Sequence, residues 1–417
     1  MTRDRVAVIG AGVSGLTAAY LLSKRHDVVL FDVATKPGGH ADTHDVATPD
    51  GSSVAVDTGF LVHNDRTYPL LSKLFTELGV RTQATEMSMS VRCDGCGLRY
   101  AGGKRGIGMV PACPPLALPR YARMMMEIPR FHRAGRALLT QADDTITLGG
   151  MLASGRYSRY FIDHFALPVV SAVWSAGEED SLRYPARTLF RFLDNHGMLS
   201  ATQSLRWRTV CGGSRAYVDK VVARIPDTRL GSPVRAIRRH LDGVEVVAEA
   251  DTTHVDRVVL ATHADQALAL LADPTTAEKQ TLGAFEYSEN ETWLHTDADV
   301  LPAQDRIRSS WNYVKPTCET RAPILVNYHL NRLMGLSEPL DYLVTLNGAG
   351  RVDEARVLAR MAYRHPIFTM DAVSAQRRLA GLNTARTAFA GAYHGWGFHE
   401  DGCRSGVRAA AAFGVRW

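Results

Sequence analysis

Val6-Ala-Val-Ile9, Gly10-Ala-Gly12-Val-Ser-Gly15 and Leu16 to Lys24 follow one another without a break, and Val28-Val-Leu-Phe31 then ends on Asp32. A β-branched run, a glycine turn, a helical stretch, a second β-branched run and an acid make up the order of a βαβ nucleotide unit. Gly10 permits the tight turn, Gly12 lets a pyrophosphate approach the backbone, and Gly15 lets the helix pack closely on the sheet. The helix start, with Val13 and Ser14, offers amide donors and positive potential to phosphates, while Asp32 is placed to accept from ribose hydroxyls.

Outward from this unit, the chain has 417 residues, room for two or three domains at roughly 150 residues each. A hydrophobic fraction of 46% with 22% charged residues excludes wholesale disorder and collagen-like architecture. The +5 formal charge is spread through the chain without long like-charge blocks, so composition favours a small-molecule or lipid partner over nucleic acid. Six cysteines with no disulfide pattern point to a reducing, cytoplasmic location. Arg3 and Arg5 ahead of Val6 to Leu22 imitate a secretory leader, but the glycine pattern inside that stretch reads as a phosphate loop. With no run of about 18 apolar residues, the expected membrane contact is peripheral at most.

Thr67 to Leu78 reads as a helix and Met87 to Tyr100 as a hairpin turning at Asp94-Gly95. Helices broken by prolines fill Leu116 to about His196. Strands are expected at Val234 to Arg238, Val244 to Ala248, Arg257 to Ala261, around Ile324 to His329 and at Tyr342 to Leu346. Helices then run through Leu382, before a last strand at Thr387 to Ala390 and a last helix at Gly402 to Phe413. This order predicts a discontinuous α/β nucleotide domain from residues 1–80, 205–265 and 383–417, with an α+β substrate domain from 81–204 and 266–382.

Further motifs narrow the class. Pro37-Gly38-Gly39-His40 follows the second strand, and Val56-Asp-Thr58-Gly59-Phe60, Cys211-Gly-Gly-Ser214 and Val258-Val-Leu-Ala261-Thr-His263 come later. Near the end stands Phe389-Ala-Gly391-Ala-Tyr393-His-Gly-Trp396-Gly397-Phe398-His399-Glu400-Asp401-Gly402. Together these resemble the flavin-containing amine oxidase and phytoene desaturase superfamily, with His40 where that superfamily usually has arginine. The resemblance spans roughly Arg5 to Gly414 and implies a glutathione-reductase-like, Rossmann-type FAD domain. It further implies FAD contacts at Gly38, Gly39, His40, Thr58, Gly59, Phe60, Val234 and Ala261. Gly391, Gly397, Phe398, His399, Glu400 and Asp401 would lie at the flavin, where a helix N-terminus stabilises charge on the reduced ring. No cysteine occurs between Tyr363 and Ala388, so the FAD is expected to be non-covalent. More narrowly, the motifs resemble a bacterial subgroup associated with cyclopropane-fatty-acid synthases, which implies a lipid-modifying methyltransferase as partner.

Flavin dehydrogenation mainly needs a substrate C–H bond held about 3 to 3.5 Å from N5. Asn290, His295, Asn312, Tyr393 and Trp396 are the catalytic candidates, with Asp297 and Tyr313 beside them; structural hydrogen bonding in a sheet is the alternative role for the polar ones. Lys315, in Trp311-Asn-Tyr-Val-Lys-Pro316, is expected to face solvent rather than the flavin. Glu400 and Asp401 could also simply cap the last helix. The favoured reading is oxidation or desaturation of a hydrophobic, fatty-acyl or lipid substrate. Its alternatives are an amine oxidase releasing hydrogen peroxide, an FAD-dependent isomerase, and a non-catalytic flavoprotein partner. Cys93-Asp-Gly-Cys96 lacks a second pair, and Cys113 stands alone, so no metal site is expected. Cys403 sits where a helix start could lower a thiol pKa, or where small-residue packing would suffice. Tyr121 to Leu139, striped with apolar residues and arginines, would suit an anionic membrane or an acyl chain, or form a helix pair roofing the substrate cavity.

Overall fold

The computed structural model describes residues 3–102, 108–141, 145–199, 205–319 and 324–417. Its first sheet is five-stranded and parallel, in the spatial order Thr387–Phe389, Arg257–Leu260, Arg5–Ile9, Asp27–Phe31, Asp227–Arg229. The strand Arg5–Ile9 lies at its centre, paired on one side to Val28 through Phe31 and on the other to Arg257 through Leu260. Its Val-Ala-Val-Ile run is apolar throughout because both faces of a parallel sheet are covered. The helix Val13–Leu22 is buried along its whole length, between this sheet and the C-terminal helix His399–Ala412. A three-stranded antiparallel sheet, Val234–Arg239, Val244–Ala248 and Thr252–Val255, packs its apolar residues into the core on the other face of the parallel sheet, with Ala7, Ile9, Val29 and Phe31.

The second sheet has seven strands in the order Val357–Ile367, Glu286–His295, Leu343–Leu346, Val326–His329, Trp311–Lys315, Met89–Cys93, Arg99–Gly102. Its strands all come from residues 81–204 and 266–382, while those of the parallel sheet come from 1–80, 205–265 and 383–417. Helices between residues 118 and 195 share a core with one face of the seven-stranded sheet.

Two expectations are corrected here. Residues 357–367 form an eleven-residue strand, not a helix, paired with Glu286–His295 over nearly its full length. Its Leu, Ala, Arg and Met residues are good helix formers, but cross-strand pairing outweighs that preference. Leu118–Leu139 is one helix that carries Pro129 within it, not a pair. Tyr121, Met124, Phe131 and Leu138 face inward, and Gly135 lies so close to Phe190 that a Cβ would stand 2.1 Å from its ring. The apolar stripe is therefore committed to the protein core, and the arginines occupy the outer face. Among the described residues no helix is long and apolar enough to cross a membrane.

Candidate cofactor and active site

The glycine loop is shaped by contacts that only glycines allow. Gly10 has φ +106° and sits against the Ala261 carbonyl, and a Cβ on Gly15 would fall 1.8 Å from the Gly10 oxygen. Gly12, by contrast, has open space where its side chain would be, as a site for an approaching pyrophosphate requires. Gly38 donates to the Ala11 carbonyl at 2.8 Å, and a Cβ on Gly39 would come within 3.2 Å of Gly12 Cα, so the two glycine turns lie side by side. Asp32 accepts from the amides of Ala11 (2.6 Å) and Ala34 (2.8 Å), which leaves lone pairs for a ribose hydroxyl.

Asp57 ties the Gly-Gly-Ser turn into the site. It accepts from the Ser214 amide at 2.9 Å, from Ser214 Oγ at 2.8 Å and from Thr43 Oγ1 at 2.6 Å. Burial pushes its carboxyl up to about 6 in spite of these donors.

Beyond the glycine turns lies a group of rings. His40 is 4.9 Å from Tyr363, 5.3 Å from His365 and 6.4 Å from His263, which in turn stacks on Tyr287. Tyr363 Oη makes hydrogen bonds with Thr58 (2.7 Å) and Asp42 (2.9 Å), while Asn290 bonds His365 Nδ1 at 3.1 Å. Phe60 stacks on His399 at 3.9 Å. Desolvation lowers His40, takes His263 to about 4 and takes His365 and His399 to about 3, so the group is neutral at pH 7. His40 Nε2 and His263 Nδ1 are buried without a hydrogen-bond partner. Orphaned polar atoms beside a glycine cradle fit a polar planar cofactor that would satisfy them.

Trp396 and Phe398 continue the wall. Phe192 stacks on Phe398 at 4.8 Å, and Trp174 packs on Phe192 at 4.7 Å while donating its indole N–H to the Trp396 carbonyl. A cleft lined by Thr67, Asn195, His196, Trp396, Phe398 and Arg404 opens beside these rings.

The remaining sequence candidates separate. Of the catalytic set, Asn290 reaches the histidine group and Trp396 the aromatic wall. His295 and Asn312 instead belong to a buried polar ladder across the seven-stranded sheet. His295 Nε2 bonds Thr345 Oγ1, which donates to Asn327 Oδ1, and Asn312 bonds the Asn327 carbonyl and Ser90. Asp297 donates its amide to His295 Nδ1 and accepts from Asp353 and Arg356, so it belongs to this scaffold too. Tyr393 is buried against Phe285 in the core of the parallel sheet. Val234 lies on the antiparallel sheet, next to a break in its register.

Glu400 accepts from the amides of Leu70 and Leu71, capping the helix Pro69–Leu78, while Asp401 accepts from Trp396 and Phe398 and caps its own helix. Glu400 thus ties the last helix to Pro69–Leu78, and Asp401 holds the Trp396 to Phe398 turn ahead of its own helix. Lys315 is corrected from a solvent-facing to a buried residue, 1% exposed and ion-paired at 2.5 Å with Glu178, which also accepts from Tyr313. Cys403 is buried, and desolvation takes its thiol up to about 12, the opposite of activation. No metal site is expected from the sequence; the fold brings Cys93, Cys96, His164 and Cys318 together.

Sequence reasoning missed Tyr363, His365 and Asp42, and with them Trp174 and Phe192. Tyr363 and His365 stand two apart on a strand that reads locally as a helix, so their shared face is invisible until the pairing is known.

The paired glycine turns, the acid after the second strand and the last helix aimed at a ring-lined space define a dinucleotide-binding flavoprotein. The family model for flavin containing amine oxidoreductases matches residues 13–290, and the chain belongs to that family. It is an FAD-dependent oxidoreductase. No curated protein sequence matches the chain. Among solved structures, cyclohexylamine oxidase from Brevibacterium oxydans IH-35A is similar with TM-score 0.70 and 16% identity, covering 99% of each chain. Putrescine oxidase bound to putrescine gives TM-score 0.69 at 14% identity over 100% of both chains. A CLA-producing fatty acid isomerase from P. acnes gives 0.68 at 15% over 97% of both. At such identities the likeness concerns the fold.

Proposed function

We propose that this oxidoreductase dehydrogenates a hydrophobic, acyl-type substrate. FAD, when bound, supplies a hydride acceptor at flavin N5. The observation that carries the reading is the uncharged wall of the site: Trp174, Phe192, Trp396 and Phe398 offer apolar rings, and the adjoining histidines are neutral. Such a wall excludes water and rewards alkyl burial at ~0.8 kcal/mol per methylene. It favours an apolar chain over a protonated amine, because the nearby carboxylates of Asp42, Asp57, Glu400 and Asp401 are engaged by protein donors. The lysine singled out in the sequence is held by Glu178. Arg404, partly exposed at the cleft, is likewise paired, with Glu400 at 3.2 Å and Asp401 at 3.9 Å. A partnership with a lipid-modifying methyltransferase belongs to the same proposal and rests on the subgroup resemblance.

The test is anaerobic flavin bleaching across an acyl-chain series and a panel of amines, with the products identified by mass spectrometry. Bleaching that steepens with acyl length supports the proposal. Rapid bleaching by amines, with indifference to acyl compounds, overturns it in favour of an amine oxidase. An acyl product of unchanged mass overturns it in favour of an isomerase.

A further inference from the structure

The Met89–Cys93 and Arg99–Gly102 hairpin, the π-helical turn Ile162–Ala166 and the segment following the strand Trp311–Lys315 meet at one end of the seven-stranded sheet. They bring Cys93, Cys96, His164 and Cys318 together, with all four potential ligand atoms within 4.8 Å of one another. We propose that these residues bind a single zinc ion in a closed, four-ligand structural site.

Three observations support this. The first is spacing. Tetrahedral zinc with Zn–S near 2.3 Å and Zn–N near 2.05 Å places ligand sulfurs ~3.8 Å apart, and sulfur and nitrogen ~3.6 Å apart. Cys93 Sγ and Cys318 Sγ are 3.7 Å apart, and Cys96 Sγ lies 3.5 Å from His164 Nε2. The second is the imidazole's orientation. His164 Nδ1 is 3.0 Å from the Tyr160 carbonyl, a contact that puts the proton on Nδ1 and turns the Nε2 lone pair toward the sulfurs. The third is the backbone. A Cβ on Gly95 would come within 3.0 Å of Cys318 N and Thr317 Cα, so the glycine of Cys-Asp-Gly-Cys lets the distant segment close over the turn.

Three sulfurs and one imidazole form a borderline-soft donor set that suits zinc better than magnesium or calcium. Four protein ligands leave no open position, so the site serves as a cross-link and not as a reaction centre. It fastens segments 68 and 225 residues apart in the chain. Cys96 and Cys318 remain partly exposed, which gives the ion a way in.

The experiment is elemental analysis of the FAD-loaded protein purified without chelator, alongside FAD content and intact mass. One zinc per chain is expected. Cys96→Ser and His164→Gln should retain zinc at least ~10-fold less tightly, and Cys113→Ser, outside the cluster, should retain it normally. Chelation should lower the melting temperature and expose the hairpin to hydrogen exchange while FAD stays bound. Zinc below roughly a tenth of the chain concentration in folded wild-type protein overturns the proposal, whatever the variants do. A Cys93–Cys318 disulfide in the intact mass, or full zinc retention by both ligand variants, also overturns it.

Discussion

Gly402 and Gly406 let the last helix lie directly on the first, and replacing Gly406 tests whether that contact positions the cofactor. A methyl group there would sit 2.4 Å from the Ser14 carbonyl oxygen, 2.9 Å from Thr17 Cβ and 3.0 Å from Ala18 N. Two of these atoms belong to the backbone of the first helix and cannot rotate aside, so relief requires the helices to separate by about 1 Å to restore ordinary contact. Overpacking of this kind costs ~1 to ~3 kcal/mol, against a gain of up to ~1 kcal/mol from replacing glycine by alanine within a helix. Less the full helical gain, the cost leaves a net loss between zero and ~2 kcal/mol, so a loss of ~1 kcal/mol is expected for Gly406→Ala. Because Ser14 lies within the phosphate loop, in the first turn of its helix, and His399 starts the last helix, the separation should also loosen FAD. Gly150→Ala is the control: its Cβ would be 3.5 Å from the nearest atom, so only the helical gain applies. Thermal melts with FAD retained after filtration provide the assay. The reasoning is refuted if Gly406→Ala melts at or above wild type with unchanged FAD.

Asp32→Ala removes the acceptor for Ala11 and Ala34 as well as for the ribose; at ~1.5 to ~3 kcal/mol per charge-assisted bond, FAD affinity measured by titration should fall at least about tenfold. Glu178→Gln deprives buried Lys315 of its carboxylate partner and should cost ~3 kcal/mol in denaturant unfolding; a loss below ~1 kcal/mol would show the ion pair to be solvated. Acid should destabilise the protein between about pH 6.5 and 4. Burial holds His63, His196, His295 and His394 near 4, so in that window the unfolded chain binds protons that the folded one refuses. Asp57 and Asp401, raised to about 6, act in the opposite direction but are fewer. A melting temperature that stays flat or rises from pH 6.5 to 5 would contradict this balance.

The parallel sheet and its phosphate loop were legible because their signals are local. Gly10, Gly12, Gly15 and Asp32 sit within one βαβ unit, and each meets a requirement set by its immediate neighbours. The later segments that complete the parallel sheet could be placed by motif, since Gly-Gly-Ser214 and the Gly391 to Gly402 segment carry unusual glycine density. Glu400 and Asp401 show where such reading stops. Both were found, but whether a carboxylate faces a flavin or a backbone amide depends on a helix that begins some 330 residues earlier in the chain.

The substrate side was harder to read because its chemistry is assembled by pairing. His365 and Tyr363 join His40 only through the register that sets Asn290 opposite Tyr363, and that register comes from a strand written largely in helix formers. Lys315 looks like a loop lysine until the parallel pairing of Lys315 with Cys93 carries its strand into the sheet interior. The same pairing brings Cys318, three residues on, to the Cys93 turn. Half of a metal set separated by 225 residues gives no spacing rule to search for. The buried lysine and the proposed zinc ligands therefore share one cause. Substitutions that shift the register between Met89–Cys93 and Trp311–Lys315 should disturb the Glu178 ion pair and zinc retention together, while FAD, anchored through the glycine loop of the parallel sheet, should stay bound.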